Sequence, residues 1–274
     1  MLFVNVCVIL GLFTPVYGYK ILGLFPHKGK SHYDTYEPLM KALVAKGHHV
    51  TVMSHFPQKK PLKNLTDIDI RTGDYLVNVI NLEDITGSRL QRYLMPPFLA
   101  YVGYGTCSEG LSHANFKNLT NSGHRFDVIL TEFFNTECFL NDLNRYQAPI
   151  IGISSCTIMP WDDFTVGVPS NPAYIPNSFM PFSDTMTFLE RFENTISYIF
   201  CLGVFEFLID IPGRIVASGY FSNSLPNLKK MAANISLMLV NNHFSFTFPR
   251  PLPPNYIEVG GIHVGKLNEP PMVS

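Results

Sequence analysis

No glycine-rich phosphate loop follows the first strand-like run of this chain. The run Lys20 to Phe25 (KILGLF) leads into Pro26-His27-Lys28-Gly29-Lys30, with neither GxGxxG nor GxxxxGK[ST]. A Rossmann-type domain built on it therefore holds something other than a dinucleotide at that turn. A G-x-S-x-G nucleophile elbow is also missing, which argues against a serine hydrolase of the α/β class. There is no basic excess: 20 Lys+Arg stand against 21 Asp+Glu, so a nucleic-acid surface is not expected. The five cysteines match no zinc or CxxC spacing, and no metal site is read from the sequence. No apolar run reaches the ~20 residues of a robust membrane span.

What is present points first to a compartment. Met1 to Phe13 is nearly all apolar, and no charged residue precedes Lys20. Val16 and Gly18 occupy the −3 and −1 positions of a cut before Tyr19, so residues 1–18 read as a secretory signal peptide. Three N-glycosylation sequons follow, at Asn64, Asn118 and Asn234. One or two are expected to be used, because Asn234 opens an apolar run and is a candidate for burial. Cys7 leaves with the leader. Cys107, Cys138, Cys156 and Cys201 remain, open to pairing or to burial as thiols. With 46% hydrophobic residues the mature chain can bury a sizeable core.

The periodicity reads as α/β. After KILGLF, the residues Tyr36, Leu39, Met40, Leu43 and Val44 recur at helical spacing. A start near Asp34 or Thr35 would place Pro38 in the first turn, where a missing N–H costs nothing. Gly47 is placed to end that helix. His49 to Ser54 (HVTVMS) is the next strand, which completes a βαβ unit. The grammar returns with a strand at Phe126 to Thr131, a helix at Thr136 to Tyr146, and a strand at Pro149 to Ser154. Two short strands follow, at Ile235 to Asn241 and Ile257 to Val259. These predict an open parallel sheet of Rossmann type. Pro160 to Pro181 reads as a long loop. Ile196 to Ile209 is almost wholly apolar around Glu206; a buried helix is the default and a helix against a membrane face the alternative.

Ligands in such sheets bind beyond the carboxyl ends of the strands. His32 lies in the loop after the first strand, and Glu132 follows the strand FDVILT. A histidine beside a carboxylate is a general base with an orienting partner. His27 competes with His32 for the role, and most of the nine histidines are expected to be simply solvated. Asp162 and Asp163 beside Trp161 form a weaker acidic pair whose plain reading is loop capping. Cys138 and Cys156 lack a histidine at any telling spacing, so thiol catalysis is not expected.

Three separated segments carry a resemblance: KILGLFPHKGKSHYDTYEPLMKALVAKGHHVTVMS, FDVILTEFFNTECFL, and LVNNHFSFTFPRPLPPNYIEVGGIH from Leu239 to His263. Together they resemble the family-1 UDP-dependent glycosyltransferases, especially insect-type members of the secretory pathway, from Tyr19 to about Leu267. The resemblance implies the N-terminal, acceptor-binding Rossmann-like domain (residues 19–264) of a two-domain GT-B enzyme. Residues 265–274 are expected to be a truncated tail, with the UDP-sugar domain and membrane anchor missing. Within Ser31-His32-Tyr33 it makes His32 the catalytic base. The orienting partner falls at Glu132, one methylene longer than the aspartate common there, with Glu137 as fallback. Ser31, Tyr33, Tyr101, Tyr104, Phe133, Phe134 and Trp161 are the acceptor-binding candidates; for any single one of Tyr101, Tyr104, Phe133, Phe134 and Trp161, ordinary core packing is the preferred reading. No cofactor is implied. UDP-glucose or UDP-glucuronic acid would be the co-substrate and a small lipophilic molecule the acceptor, joined with inversion at the anomeric carbon. Other expected partners are full-length relatives or a membrane face. The expected location is the endoplasmic reticulum lumen, or outside the cell if no anchor is present. A non-catalytic protein that binds a small molecule or a partner is the competing reading.

Overall fold

The computed structural model describes residues 18–72, 87–220, 230 and 234–264. Residues 1–17 of the expected leader and the tail 265–274 lie outside them. The described strands are β1 (Lys20–Phe25), β2 (His49–Ser54), β3 (Leu65–Asp69), β4 (Val128–Glu132), β5 (Ile150–Ser154), β6 (Leu237–Val240) and β7 (Tyr256–Glu258). They form one sheet in the order β3-β2-β1-β4-β5-β6-β7, and every pairing is parallel. Parallel strands need crossovers, and crossovers cover both faces, so central strands are apolar on both sides. β1 shows this: only Lys20 at its start is exposed.

The two faces separate by the strand period of two. On one, Ile21, Val50, Val52, Leu130 and Ile153 pack with Tyr33, Tyr36 and Met40 of helix α1 (Lys30–Ala45). On the other, Leu22, Leu24, Met53 and Ile129 pack with Cys107 and Leu111 of α2 (Arg89–Ser112) and with Phe116 and Leu119 of α3 (Ala114–Asn121). Each fully buried side chain of this kind contributes about 1.5–3 kcal/mol. Cys107 and Cys138 are joined by a disulfide, which ties α2 to the segment after β4. Cys156 and Cys201 are free thiols.

Several local expectations need correction. α1 begins at Lys30, not near Asp34, and its N-cap is Gly29 with no side-chain cap. Pro38 is consequently interior, and the Asp34 carbonyl lacks its usual N–H donor. Gly47 does follow the helix, with φ of 91°, a conformation glycine adopts without strain. The helix expected over Thr136 to Tyr146 is three short pieces: a 3₁₀ turn at Glu137–Phe139, α4 (Leu140–Leu143), and a 3₁₀ turn at Asn144–Tyr146. Asn234 is exposed rather than buried, as is Asn118, while Asn64 is half-buried.

No helix or strand occurs between β5 and α5 (Phe188–Val204), as the loop reading requires. The connection is nevertheless fixed. Buried Asn194 of α5 accepts from the Asn177 backbone N–H at 2.8 Å and donates to the carbonyls of Pro172 and Ile175. α5 continues through a π-helical stretch, Phe205–Asp210, into α6 (Ile211–Ser218). The default of a buried helix at Ile196 to Ile209 holds for one face only. Cys201, Val204 and Phe205 are buried, whereas Ile199 is 60% and Phe207 67% exposed. A four-residue helix, α7 (Phe244–Thr247), follows β6.

Candidate active site

β1 and β4 are neighbours, but the chain leaves β1 toward β2 on one side and β4 toward β5 on the other. This is the topological switch point, where a crevice opens beyond the strand ends. His32 reaches it from the first turn of α1. Glu132 reaches it as the last residue of β4, one position inside the strand rather than after it. His32 Nδ1 lies 2.7 Å from Glu132 Oε1, so the added methylene of glutamate closes the gap. Glu137 does not make this contact; it is buried behind the rim with Oε1 unpartnered.

Glu132 is 2% exposed and held on both oxygens. The Tyr36 hydroxyl donates to Oε1 at 3.1 Å, and the His27 backbone N–H donates to Oε2 at 3.3 Å. Burial by itself would push the carboxyl up. The hydrogen bond and charge of His32, with contributions from His27 and Tyr36, outweigh burial and hold it below the usual carboxylate range. An ionised carboxylate only accepts hydrogen bonds, so in the neutral imidazole His32 Nδ1 is the donor and Nε2 keeps the lone pair. The His32 side chain is 16% exposed, enough for that lone pair to meet a ligand.

His27 differs in every respect that matters. Its ring stacks on His32 with centroids 4.1 Å apart, and its Nδ1 accepts the Gly29 N–H at 2.9 Å. Burial, together with the His32 charge, pushes its pKa down to about 3, so it stays neutral at physiological pH and is a poor base. Burial is what separates the two histidines. Gly29 makes the stack possible: a Cβ there would meet His27 atoms at 2.8 Å and His32 Cδ2 at 3.2 Å. Among the described residues, His27, His32 and Glu132 also form the one trio whose ligand atoms lie within 4.8 Å of one another. Both Nδ1 atoms and the carboxylate already have partners within the protein.

The acceptor candidates disperse. Phe134 belongs to the site, edge-on to His32 at 4.5 Å and to His27 at 5.2 Å. Ser31 is exposed in the turn beside His32. Tyr33, Phe133 and Trp161 are core residues, each at most 2% exposed. Tyr33 stacks on Phe56, and Trp161 stacks on Phe179 and Phe205. Tyr101 and Tyr104 are exposed on α2, 76% and 47%. Tyr36 is the residue the sequence reading missed. Its spacing of four from His32 on one helix was the available signal.

Asp162 and Asp163 do not cap the loop surface; both are buried. Asp163 pairs with Arg250 at 2.6 Å, yet burial still raises it to about 6. Asp162 has neither oxygen hydrogen-bonded, and burial, then the charges of Glu137 and Asp163, push it well above the ordinary range.

An open parallel α/β sheet with a histidine–carboxylate pair at its switch point is an architecture suited to proton abstraction from a bound ligand. The family model described as "UDP-glucoronosyl and UDP-glucosyl transferase" matches residues 22–272, and the chain belongs to that family. It is 35% identical over 252 residues to UDP-glucosyltransferase 2 of Dactylopius coccus, an alignment covering 90% of this chain and 48% of the relative. It is 30% identical over 147 residues to UDP-glucuronosyltransferase 1A7 of Mus musculus, covering 52% of this chain and 26% of that protein. A solved UDP-glucosyltransferase from Polygonum tinctorium is 12% identical with a TM-score of 0.41, over 90% of this chain and 53% of that one. The chain spans about half the length of the curated relatives it matches over most of its own length.

Proposed function

We propose that this chain is the acceptor-binding half of a UDP-glycosyltransferase and that His32 is its general base. The observation that carries the reading is the 2.7 Å contact between His32 Nδ1 and a Glu132 carboxylate held ionised. His32 Nε2 takes the proton of an acceptor hydroxyl as its oxygen attacks the anomeric carbon of a UDP-sugar, glucose or glucuronic acid. UDP departs from the opposite face, and the configuration inverts. Glu132 steadies the imidazolium as it forms and keeps Nε2 aimed outward. Phe134, beside the imidazole, suits a small lipophilic acceptor. The loop after β1 has no glycine-rich phosphate cradle, so the donor is assigned to the half of the relatives that this chain does not align with. These 274 residues alone are therefore expected not to transfer sugar.

The secretory pathway is the proposed location. The leader-like N-terminus, the exposed sequons at Asn118 and Asn234, and the Cys107–Cys138 disulfide support it, because disulfides persist in oxidising compartments. Among the described residues no helix is long and apolar enough to cross a membrane.

The test is His32→Ala in this chain completed with the second half of a relative. Turnover should fall ~100–10,000-fold, with the acceptor KM little changed. An unchanged rate for a chemistry-limited phenol would remove His32 from the mechanism.

A further inference from the structure

The turn between Glu132 and Glu137 is pinned from three sides. Thr136 Oγ1 donates back to the Glu132 carbonyl at 2.9 Å, which closes the turn on the end of β4. Within it the two phenylalanines part. Phe133 enters the core with Leu22 and Ile129, and Phe134 stands against His32 and His27. The next residue, Asn135, has φ of 56°, in the left-handed region that asparagine tolerates better than most side chains. Its buried side chain donates through Nδ2 to the Leu99 carbonyl of α2 at 3.1 Å. Its backbone N–H faces the Glu137 carboxyl. Gly103, one turn further along α2, permits the approach: a Cβ there would meet Asn135 Cβ at 2.6 Å and its carbonyl oxygen at 2.9 Å. Leu99 and Ala100 of the same stretch of α2 pack in one cluster with Phe134.

This matters because one hydrogen bond at Nδ1 fixes a single point of the His32 ring and leaves it free to swing about that contact. Two rings stop the swing. His27 stacks on His32 at 4.1 Å and is itself held by the Gly29 N–H on its Nδ1. Phe134 meets His32 at 4.5 Å with an interplanar angle of 71°. Phe134 has no polar handle, so its place comes from packing and from the backbone turn that Asn135 ties to α2. We propose that Asn135 is a positioning residue: through α2 it sets where the Phe134 ring stands, and through that ring the direction in which His32 Nε2 points. It acts through its neighbour and not on the reacting atoms. The geometric part stands on the contacts above; the effect on turnover rests on the reading of His32 as general base.

The experiment has two arms. The first is proton NMR of the His32 ring in this chain. Phe134→Leu defines the ring-current displacement that Phe134 imposes on the His32 ring protons. Asn135→Gly keeps the left-handed turn accessible, because glycine enters that region freely, and removes only the amide. It should lose most of the displacement. Gly103→Ala drives a methyl into Asn135 from α2 and should do the same. A residue that merely added stability would lower the melting temperature and leave the displacement of the folded state as in wild type. The second arm uses the chain completed with the second half of a relative. There Asn135→Gly should lower kcat about tenfold with the acceptor KM little changed, as misplacement of a reacting group does. Full displacement in Asn135→Gly would overturn the proposal. So would a loss confined to Cys107→Ser with Cys138→Ser, which would assign the turn to the disulfide. Lost displacement beside an unchanged kcat would take Phe134 and Asn135 out of the mechanism. Lost displacement in an enzyme whose His32→Ala form keeps full turnover would leave the geometry standing and remove the base instead.

Discussion

Glu132 and Glu137 are five positions apart, both almost fully buried, and shifted in opposite directions. Glu132 has a donor on each oxygen, and its pKa lies below the ordinary range. Glu137 has an unpartnered Oε1, and burial, with the charges of Glu132 and Asp210, raises it to about 7. The same desolvation acts on both, so the difference comes from partners. Where the fold aims an imidazole, a hydroxyl and a backbone N–H at a carboxyl, burial yields a fixed anion. Where backbone N–H groups alone face it, as at Glu137, burial wins and the pKa rises. Asp162 extends the second kind past β5. One rim of the sheet thus carries a fixed anion at the switch point and, beside it, carboxyls whose pKa burial raises.

The largest effect expected from breaking this contrast is Glu132→Ala. It strips the buried Tyr36 hydroxyl and His32 Nδ1 of their acceptor and should cost about 3 kcal/mol of stability. Asp162→Asn puts a neutral group of the same shape in place of a carboxyl that burial pushes well above its ordinary range and should cost less than about 1 kcal/mol. Urea unfolding of the two variants checks the pair. Equal losses would mean that burial, not partnering, sets their states.

The pH dependence should split in the same way. The native pKa of Glu137, about 7, exceeds the ordinary 4.5, so the native state holds its proton more tightly. Stability from this group is full below pH 4.5 and falls as pH rises toward 7. Asp163, raised from 3.8 to about 6, adds a loss in the window between those values. Glu132 works the other way: its contribution is present above the unfolded pKa and lost as pH falls through the lowered native one. Glu137→Gln should therefore flatten the decline between pH 4.5 and 7, measured by urea unfolding across that range. A slope identical to wild type would contradict the assignment.

A single-donor deletion at Glu132 sharpens the comparison. Tyr36→Phe removes one of the donors on Glu132 and should cost about 1 kcal/mol. At this chain length that lowers the melting temperature by roughly 2–4 °C.

The sheet was largely legible because buried parallel strands read as short apolar runs. β1 and β2 have the bounds their sequences indicate, and the strand ends brought His32 and Glu132 to one rim by topology alone. β3 was not read, because Leu65-Thr66-Asp67-Ile68-Asp69 alternates too many polar residues to stand out. α2 was not read either. Pro96 and Pro97 argue against a helix, although Ser88 and Gln91 form the capping box that begins it. The start of α1 was misplaced because cap rules look for a side chain, and Gly29 offers none. Core packing was the preferred reading for each loop aromatic; Phe133 and Trp161 are buried, but Tyr101 and Tyr104 are exposed, since an aromatic on a surface and one in a core share the same letter. The Tyr36–Glu132 bond spans 96 positions, and helical periodicity marks Tyr36 only as core.

The central claim is that Glu132 fixes His32 with the proton on Nδ1 and the lone pair on Nε2, while His27, stacked against it, carries the opposite tautomer. The most direct measurement is nitrogen-15 and proton NMR of the two imidazoles in the neutral form, in wild type and in Glu132→Gln. The account predicts an Nδ1–H tautomer for His32, with a strongly downfield Nδ1 proton that is lost in the variant, beside an Nε2–H tautomer for His27 in both. An Nε2–H tautomer for His32, or a spectrum that Glu132→Gln leaves unchanged, would contradict it.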